Sequence, residues 1–133
     1  MASVENRRSR GFVAMRILSF GHALRGLARL SRETNARIHG LAAVVVLAVG
    51  YFLRLAALEW ALIAFAIGLV LSAEALNTAV ESLADAAVPD QHPLVGAAKD
   101  LGAAAVLIAA LTAVAIAVLV LGPHLVALSH ALR

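Results

Sequence analysis

The chain of 133 residues has no cysteine, three prolines, few aromatic residues (5%) and few charged ones (14%). The missing cysteines rule out disulfides and thiolate metal centres. No Gly-rich phosphate loop and no kinase catalytic-loop signature occurs, so a nucleotide site on this chain must be built on helices. The five histidines (His22, His39, His92, His124, His130) have no metal-ligand spacing, and His124 and His130 read as ordinary residues. No internal repeat is found, and the start, MASVENRRSRGF, lacks the continuous apolar stretch of a signal peptide. The scarcity of charge excludes most. A soluble domain of this size could not hide 62% hydrophobic residues, so its core must be lipid or other membrane helices.

The charge that is present is unevenly placed. The net charge is +3, and eight of the eleven basic residues lie between Arg7 and Arg37, leaving Arg54, Lys99 and Arg133. A basic arm can bind nucleic acid, but apolar spans follow this one at once, which suits anionic lipid better, and no nucleic-acid partner is expected. Residues 1–11 are polar and basic and are expected to be disordered. From Phe12 to about residue 32, Phe12, Ile17, Phe20, Leu24 and Leu27 interleave with Arg16, Arg25 and Arg29, the pattern of an amphipathic surface helix. An ordinary packed surface helix is the alternative.

Three spans are expected, at about 36–56, 58–87 and 99–121, inside a membrane domain of residues 12–121. The first is short in strictly uncharged residues, and Arg54 is expected to snorkel at its far end. The second has Glu59 and Trp60 at its outer end, where an aromatic anchor belongs, and Pro89 is expected to stop it before a polar loop, Asp90-Gln91-His92-Pro93. The third is uncharged from Leu101 to Leu121, with Gly102, Ala109, Ala113 and Ala117 offering small faces for helix contact. Gly122-Pro123 is expected to end it, leaving residues 122–133 as a tail. The Arg-rich amino end predicts a cytoplasmic N-terminus. Three crossings then gather Glu33, Arg37, Glu81, Asp85, Asp90, Lys99 and Asp100 on the cytoplasmic side.

Within the second span, Glu74, Asn77, Glu81 and Asp85 follow the uncharged run Trp60–Ala73 at spacings of 3, 4 and 4. That spacing stacks them on one helix face. Ionisable groups at membrane depth are costly and mark function by default. The helical rise from Trp60 to Glu74 is about 21 Å against a hydrocarbon core of about 30 Å, so Glu74 falls where acyl chains meet headgroups. Glu81 lies about 10 Å further, close to water. One face thus spans the levels of a lipid hydroxyl and of a soluble ligand. Glu74 could take a proton from an alcohol. Glu33 and Glu81 are hard oxygen ligands of the kind Mg²⁺ accepts together with phosphate, and Lys99 can neutralise charge on a transferring phosphoryl group.

Plainer roles stand beside these. Glu81 and Asp85 also fit a solvated helix end, Asn77 fits polar glue between spans, and Lys99-Asp100 fits an interfacial anchor. Three function classes follow: an ATP-dependent lipid kinase, a small proton-coupled transporter using Glu74, and a non-catalytic helical assembly subunit.

Glu74-Ala-Leu-Asn77-Thr-Ala-Val-Glu81 with Asp85, then His92-Pro-Leu and Ala98-Lys99-Asp100-Leu-Gly-Ala-Ala-Ala-Val-Leu-Ile-Ala, resembles the prokaryotic diacylglycerol kinase family, which includes the undecaprenol kinases. The resemblance covers roughly residues 16–120 and departs from the family pattern by one residue in Gly26–Glu33. It implies an all-α membrane protein with three transmembrane helices and an amino-terminal surface helix, assembled as a homotrimeric bundle with active sites between subunits. It implies transfer of the γ-phosphoryl group of Mg-ATP to a lipid alcohol at the bacterial cytoplasmic (inner) membrane. By motif, Glu74 would be the proton acceptor, and Glu33 and Glu81 the metal-binding carboxylates. Asn77, Lys99 and Asp100 would complete the nucleotide and phosphate site, with Asp90, Gln91 and His92 near the nucleotide and Arg16 a candidate contact. Asp85 and Arg37 would support the site. Asn35–His39, Leu58–Trp60, Leu76–Ala79 and His92–Leu94 look more like the undecaprenol kinase branch, and Leu101–Ala109 more like the diacylglycerol branch. Undecaprenol is therefore favoured over diacylglycerol as acceptor.

Overall fold

A computed structural model describes the backbone of residues 2–88 and 90–133, with side chains from residue 15 onward except at 17 and 89. Among the described residues there are four α-helices and no strand: α1 (Ala2–Leu30), α2 (Thr34–Leu53), α3 (Ala57–Ala87) and α4 (Pro93–Ala131). The chain divides into two units, Met1–Glu33 and Thr34–Arg133. The expected roles of Phe12, Ile17 and Pro89 fall outside the described side chains.

The amino-terminal unit is α1 and its closing turn. The helix begins at Ala2, ahead of the Phe12 start that the apolar pattern suggests; nothing between Ala2 and Arg10 is a Gly or Pro that would interrupt it. Phe20, Leu24 and Leu27 are exposed at i, i+4 and i+7, with Arg25 and Arg29 exposed among them. The helix ends in three 3.0 Å backbone bonds, from the N–H groups of Ser31, Arg32 and Glu33 to the carbonyls of Leu27, Arg29 and Leu30.

The second unit holds three helices long and apolar enough to cross a membrane, α2, α3 and α4. α2 ends in a Schellman motif. Leu55 N–H bonds to the Gly50 carbonyl and Arg54 N–H to the Tyr51 carbonyl, both at 3.2 Å, while Arg54 takes the left-handed conformation at φ 57°. Leu55 then folds back on Gly50, as the motif's apolar contact requires. A Cβ on Gly50 would come within 2.8 Å of Leu55 Cδ1 and 3.1 Å of the Trp60 ring. α3 starts immediately, and Glu59 accepts the Ala56 N–H at 2.7 Å, the side-chain half of a capping box.

α3 packs mainly on α4 and less on α2. Ile63, Ala66 and Val70 form its buried stripe, and Ile63 joins Leu55 and Val120 in the core cluster, with Trp60 and Ile116 against it. Large apolar side chains such as Phe52, Phe65, Leu111, Val118 and Leu119 remain exposed on all three helices. For helices whose outer solvent is hydrocarbon, that exposure is the expected condition.

α4 begins at Pro93, the favoured first position, and His92 caps it by accepting the Leu94 N–H on Nδ1 at 3.3 Å. Its far end corrects the expectation from sequence. Gly122-Pro123 does not stop the helix, which continues through Pro123 to Ala131. Pro123 removes a single N–H donor, whereas unwinding a helix at a membrane surface would release several backbone groups at once. Continuation also carries His124 to Glu59, with Nε2 donating to Oε1 at 2.9 Å.

Candidate active site

At 100° per residue, Glu74, Asn77, Glu81 and Asp85 fall within about 80° of arc on α3. That is the arc continued from Ile63 and Val70, so the stripe that is apolar from Ile63 to Val70 becomes polar from Glu74 onward. Glu74 is only 2% exposed, and its Oε2 has no hydrogen-bond partner. Asn77 is 7% exposed; its Nδ2 donates to Glu81 Oε1 at 3.0 Å, while its Oδ1 has no partner and lies against the α-carbon of Gly102 on α4. The amide orientation follows from that bond, because a carboxylate can only accept. Buried polar atoms in folded proteins are almost always paired. Two orphaned oxygens on one helix face therefore mark a place where something else completes the bonding.

One turn further, Lys99 Nζ and Asp85 Oδ1 meet at 3.0 Å and tie the start of α4 to the last turns of α3. The loop between these helices forms the rim of a polar-mouthed cavity of about 510 Å³, lined among others by Asp85, Asp90, Gln91, His92, Gly96 and Lys99. His92 Nδ1 is committed to capping α4, which puts the proton of the neutral ring on Nε2. The cavity thus brings a lysine, an imidazole N–H and the carboxylates of Asp85 and Asp90 together. Asp100 is exposed beside it in sequence.

Apolar space adjoins the same face. A cavity of about 250 Å³ between α2, α3 and α4 is walled by residues including Ala42, Val46, Ile63, Val70, Ala113 and Ala117, with His39 contributing to it. Val70 precedes Glu74 by one helical turn. A second groove of about 410 Å³ runs past Leu69, Ala73, Leu76, Asn77, Gly102 and Ala109. Both are lined almost wholly by apolar side chains, so hydrocarbon is their chemical complement.

The α3 stripe, Lys99 and the 90–92 loop are thus placed at one end of the second unit. Arg37 is exposed on the first turn of α2. Arg16, exposed on α1, and Glu33, half-buried in the turn after it, belong to the amino-terminal unit. Among the described residues no three His, Cys, Asp or Glu side chains form a metal cage. Two features escape the sequence reading. Gly102 counted there only as a small contact residue, although its place three positions after Lys99 was visible. The Glu59–His124 pair, 65 positions apart, has no local signal.

Comparison with known proteins agrees with this geometry. The family model for "Prokaryotic diacylglycerol kinase" matches residues 21–121. The chain is 41% identical over 108 residues to an undecaprenol kinase of Bacillus subtilis (strain 168), covering 80% of this chain and 88% of the relative. It is 38% identical over 114 residues to a diacylglycerol kinase of Synechocystis sp., covering 84% of this chain and 65% of that one. Against a diacylglycerol kinase of Escherichia coli (strain K12) it is 35% identical over 99 residues, 74% of this chain and 81% of the relative. Neither the family nor these relatives support the transporter alternative.

Proposed function

We propose that this chain, a multi-pass membrane lipid kinase that belongs to the prokaryotic diacylglycerol kinase family, transfers the γ-phosphoryl group of Mg-ATP to the hydroxyl of undecaprenol, with diacylglycerol as the second candidate acceptor. The observation that carries the reading is Glu74, buried on α3 with Oε2 unpartnered, on the same face as the more exposed Glu81. A lipid hydroxyl placed against Oε2 would give its proton to Glu74 as its oxygen attacks the γ-phosphorus. The bond from that phosphorus to the β–γ bridging oxygen then breaks, ADP leaves, and the lipid carries the phosphate. The catalytic power asked of such a base is about 10²–10⁴-fold.

Lys99 would turn from Asp85 toward the phosphates and offset their charge. Glu81 and Glu33 would hold Mg²⁺, which when bound neutralises phosphate charge and orients the oxygens of the nucleotide. Asn77 keeps Glu81 aimed, Asp85 and Arg37 support the charged end, and Asp90, Gln91, His92 and Asp100 with Arg16 surround the nucleotide. The apolar cavity one turn from Glu74 offers room for the acceptor's hydrocarbon chain. The preference for undecaprenol rests on the higher identity to the undecaprenol kinase, 41% against 38% and 35%, and on the segments that resemble that branch.

In this reading α1 lies in the cytoplasmic interface of the inner membrane, the N-terminus faces the cytoplasm, and three copies assemble with sites between them. The test uses the full chain purified in detergent with labelled ATP and Mg²⁺, and each lipid in turn. Label on undecaprenol at a higher kcat/KM than on diacylglycerol is the expected result. Higher efficiency on diacylglycerol reverses the acceptor, and no label on either sinks the reading.

A further inference from the structure

We propose that Gly102 is a positioning residue of this site: its bare α-carbon is the wall that sets the Asn77 carboxamide, and through Asn77 it aims Glu81. The inference rests on the kinase reading above for what Glu81 does, and on contacts for the rest.

Four of the glycines lie on α3 and α4, at 68, 96, 102 and 122. A Cβ added at Gly68, Gly96 or Gly122 would meet nothing within 4 Å. At Gly102 it would collide with Asn77 Oδ1, reach 3.4 Å from Asn77 Cγ and come within 3.7 Å of the Asn77 backbone. A second tight glycine, Gly50, faces only apolar atoms of Leu55 and Trp60. Gly102 alone among these faces a buried polar group that lacks a hydrogen-bond partner at the atom in contact.

That difference has a physical consequence. The terminal torsion of an asparagine is broad and roughly two-fold, so a carboxamide bonded at one end only is free to turn. Asn77 has one hydrogen bond, from Nδ2 to Glu81 Oε1 at 3.0 Å, and none at Oδ1. Contact with the Gly102 α-carbon supplies the missing restraint by exclusion. Turning the amide would break the bond to Glu81 and present Oδ1 to a carboxylate, which only repels it. A methyl group at 102 would force that turn or push the helices apart. Gly102 is one turn from Lys99, so separation would also stretch the 3.0 Å contact between Lys99 and Asp85. Turning the amide damages the nucleotide end of the site, whereas separating the helices would also disturb the apolar groove that Asn77 and Gly102 line.

The experiment measures steady-state kinetics, Mg-ATP binding by titration and thermal melting on the full chain. Gly102→Ala should raise KM and Kd for Mg-ATP by about tenfold, the scale of one charge-assisted hydrogen bond, with a smaller change in KM for the lipid. Gly50→Ala should lower Tm and leave KM for Mg-ATP alone, and Gly68→Ala should change neither. In an Asn77→Ala background, Gly102→Ala should cost less than about twofold, because the amide it positions is gone. Equal cost with and without the Asn77 amide would overturn the proposal, as would an unchanged KM in the single variant. Should Gly102→Ala fail to fold, recovery of fold in the double variant supports the wall, and continued failure makes Gly102 a plain backbone contact. A wild-type chain that labels no lipid sinks the kinase reading instead, a result distinct from all of these.

Discussion

Glu59 and Glu74 are carboxylates on the same helix, fifteen positions apart, in opposite conditions. Glu59, near the start of α3, has both oxygens engaged, one by the Ala56 N–H at 2.7 Å and one by His124 Nε2 at 2.9 Å. Glu74 is almost wholly buried and has an oxygen with no partner. The glycines repeat the contrast: Gly50 near Glu59 faces Leu55 and Trp60, while Gly102 near Glu74 faces an unsatisfied amide. One end of the bundle is finished by its own side chains. The other leaves two buried oxygens unpaired, a costly state in a setting of low polarity. A folded chain tolerates that cost where a partner from outside the chain completes the bonding, and in the proposed function that partner is the lipid hydroxyl.

The contrast breaks most visibly if the proposed base is removed. Glu74→Gln should lower kcat by about a thousandfold, within the range for general bases, while Mg-ATP titration still detects binding. Retained transfer would end the distinction between the two carboxylates. Glu81→Gln should act differently, weakening Mg²⁺-dependent nucleotide binding by roughly tenfold or more through loss of a charged ligand. Matching phenotypes in the two variants would merge their roles.

Smaller effects sharpen the picture. Lys99→Met should lower kcat/KM for Mg-ATP by about tenfold, the loss of one charged contact to phosphate. Asp85→Asn should cost less, since it only holds Lys99 at rest; the ratio of the two kcat/KM values is the check. At the Glu59 end, Glu59→Gln and His124→Ala should each lower Tm in detergent with kcat and KM within about twofold of wild type, as expected for sites distant enough to act independently. A large kinetic loss from either would mean that the satisfied end also belongs to the chemistry.

How far the sequence carried these conclusions differs by feature. The three spans were legible because a membrane demands long apolar runs, and α3 was matched within a residue of the expected 58–87. The stripe on α3 was legible because 3.6-residue periodicity is local. The end of α4 was misread: Pro123 is a helix-stopping signal in water, and its cost here is overridden by backbone pairing and by the reach of His124 to Glu59. Asn77 was read both as nucleotide contact and as helix glue, and its bond to Glu81 and contact with Gly102 place it between α3 and α4 beside a carboxylate.

By itself, then, the sequence determined an all-helical membrane chain and the helix face its carboxylates share, because hydrophobic length and helical spacing are properties of neighbouring residues. Only the tertiary structure decided that Glu59 is satisfied and Glu74 is not, that Lys99 rests on Asp85, and that Gly102 presses on Asn77. Those facts depend on which turn of α4 lies against which turn of α3, and no local pattern in the chain encodes that register.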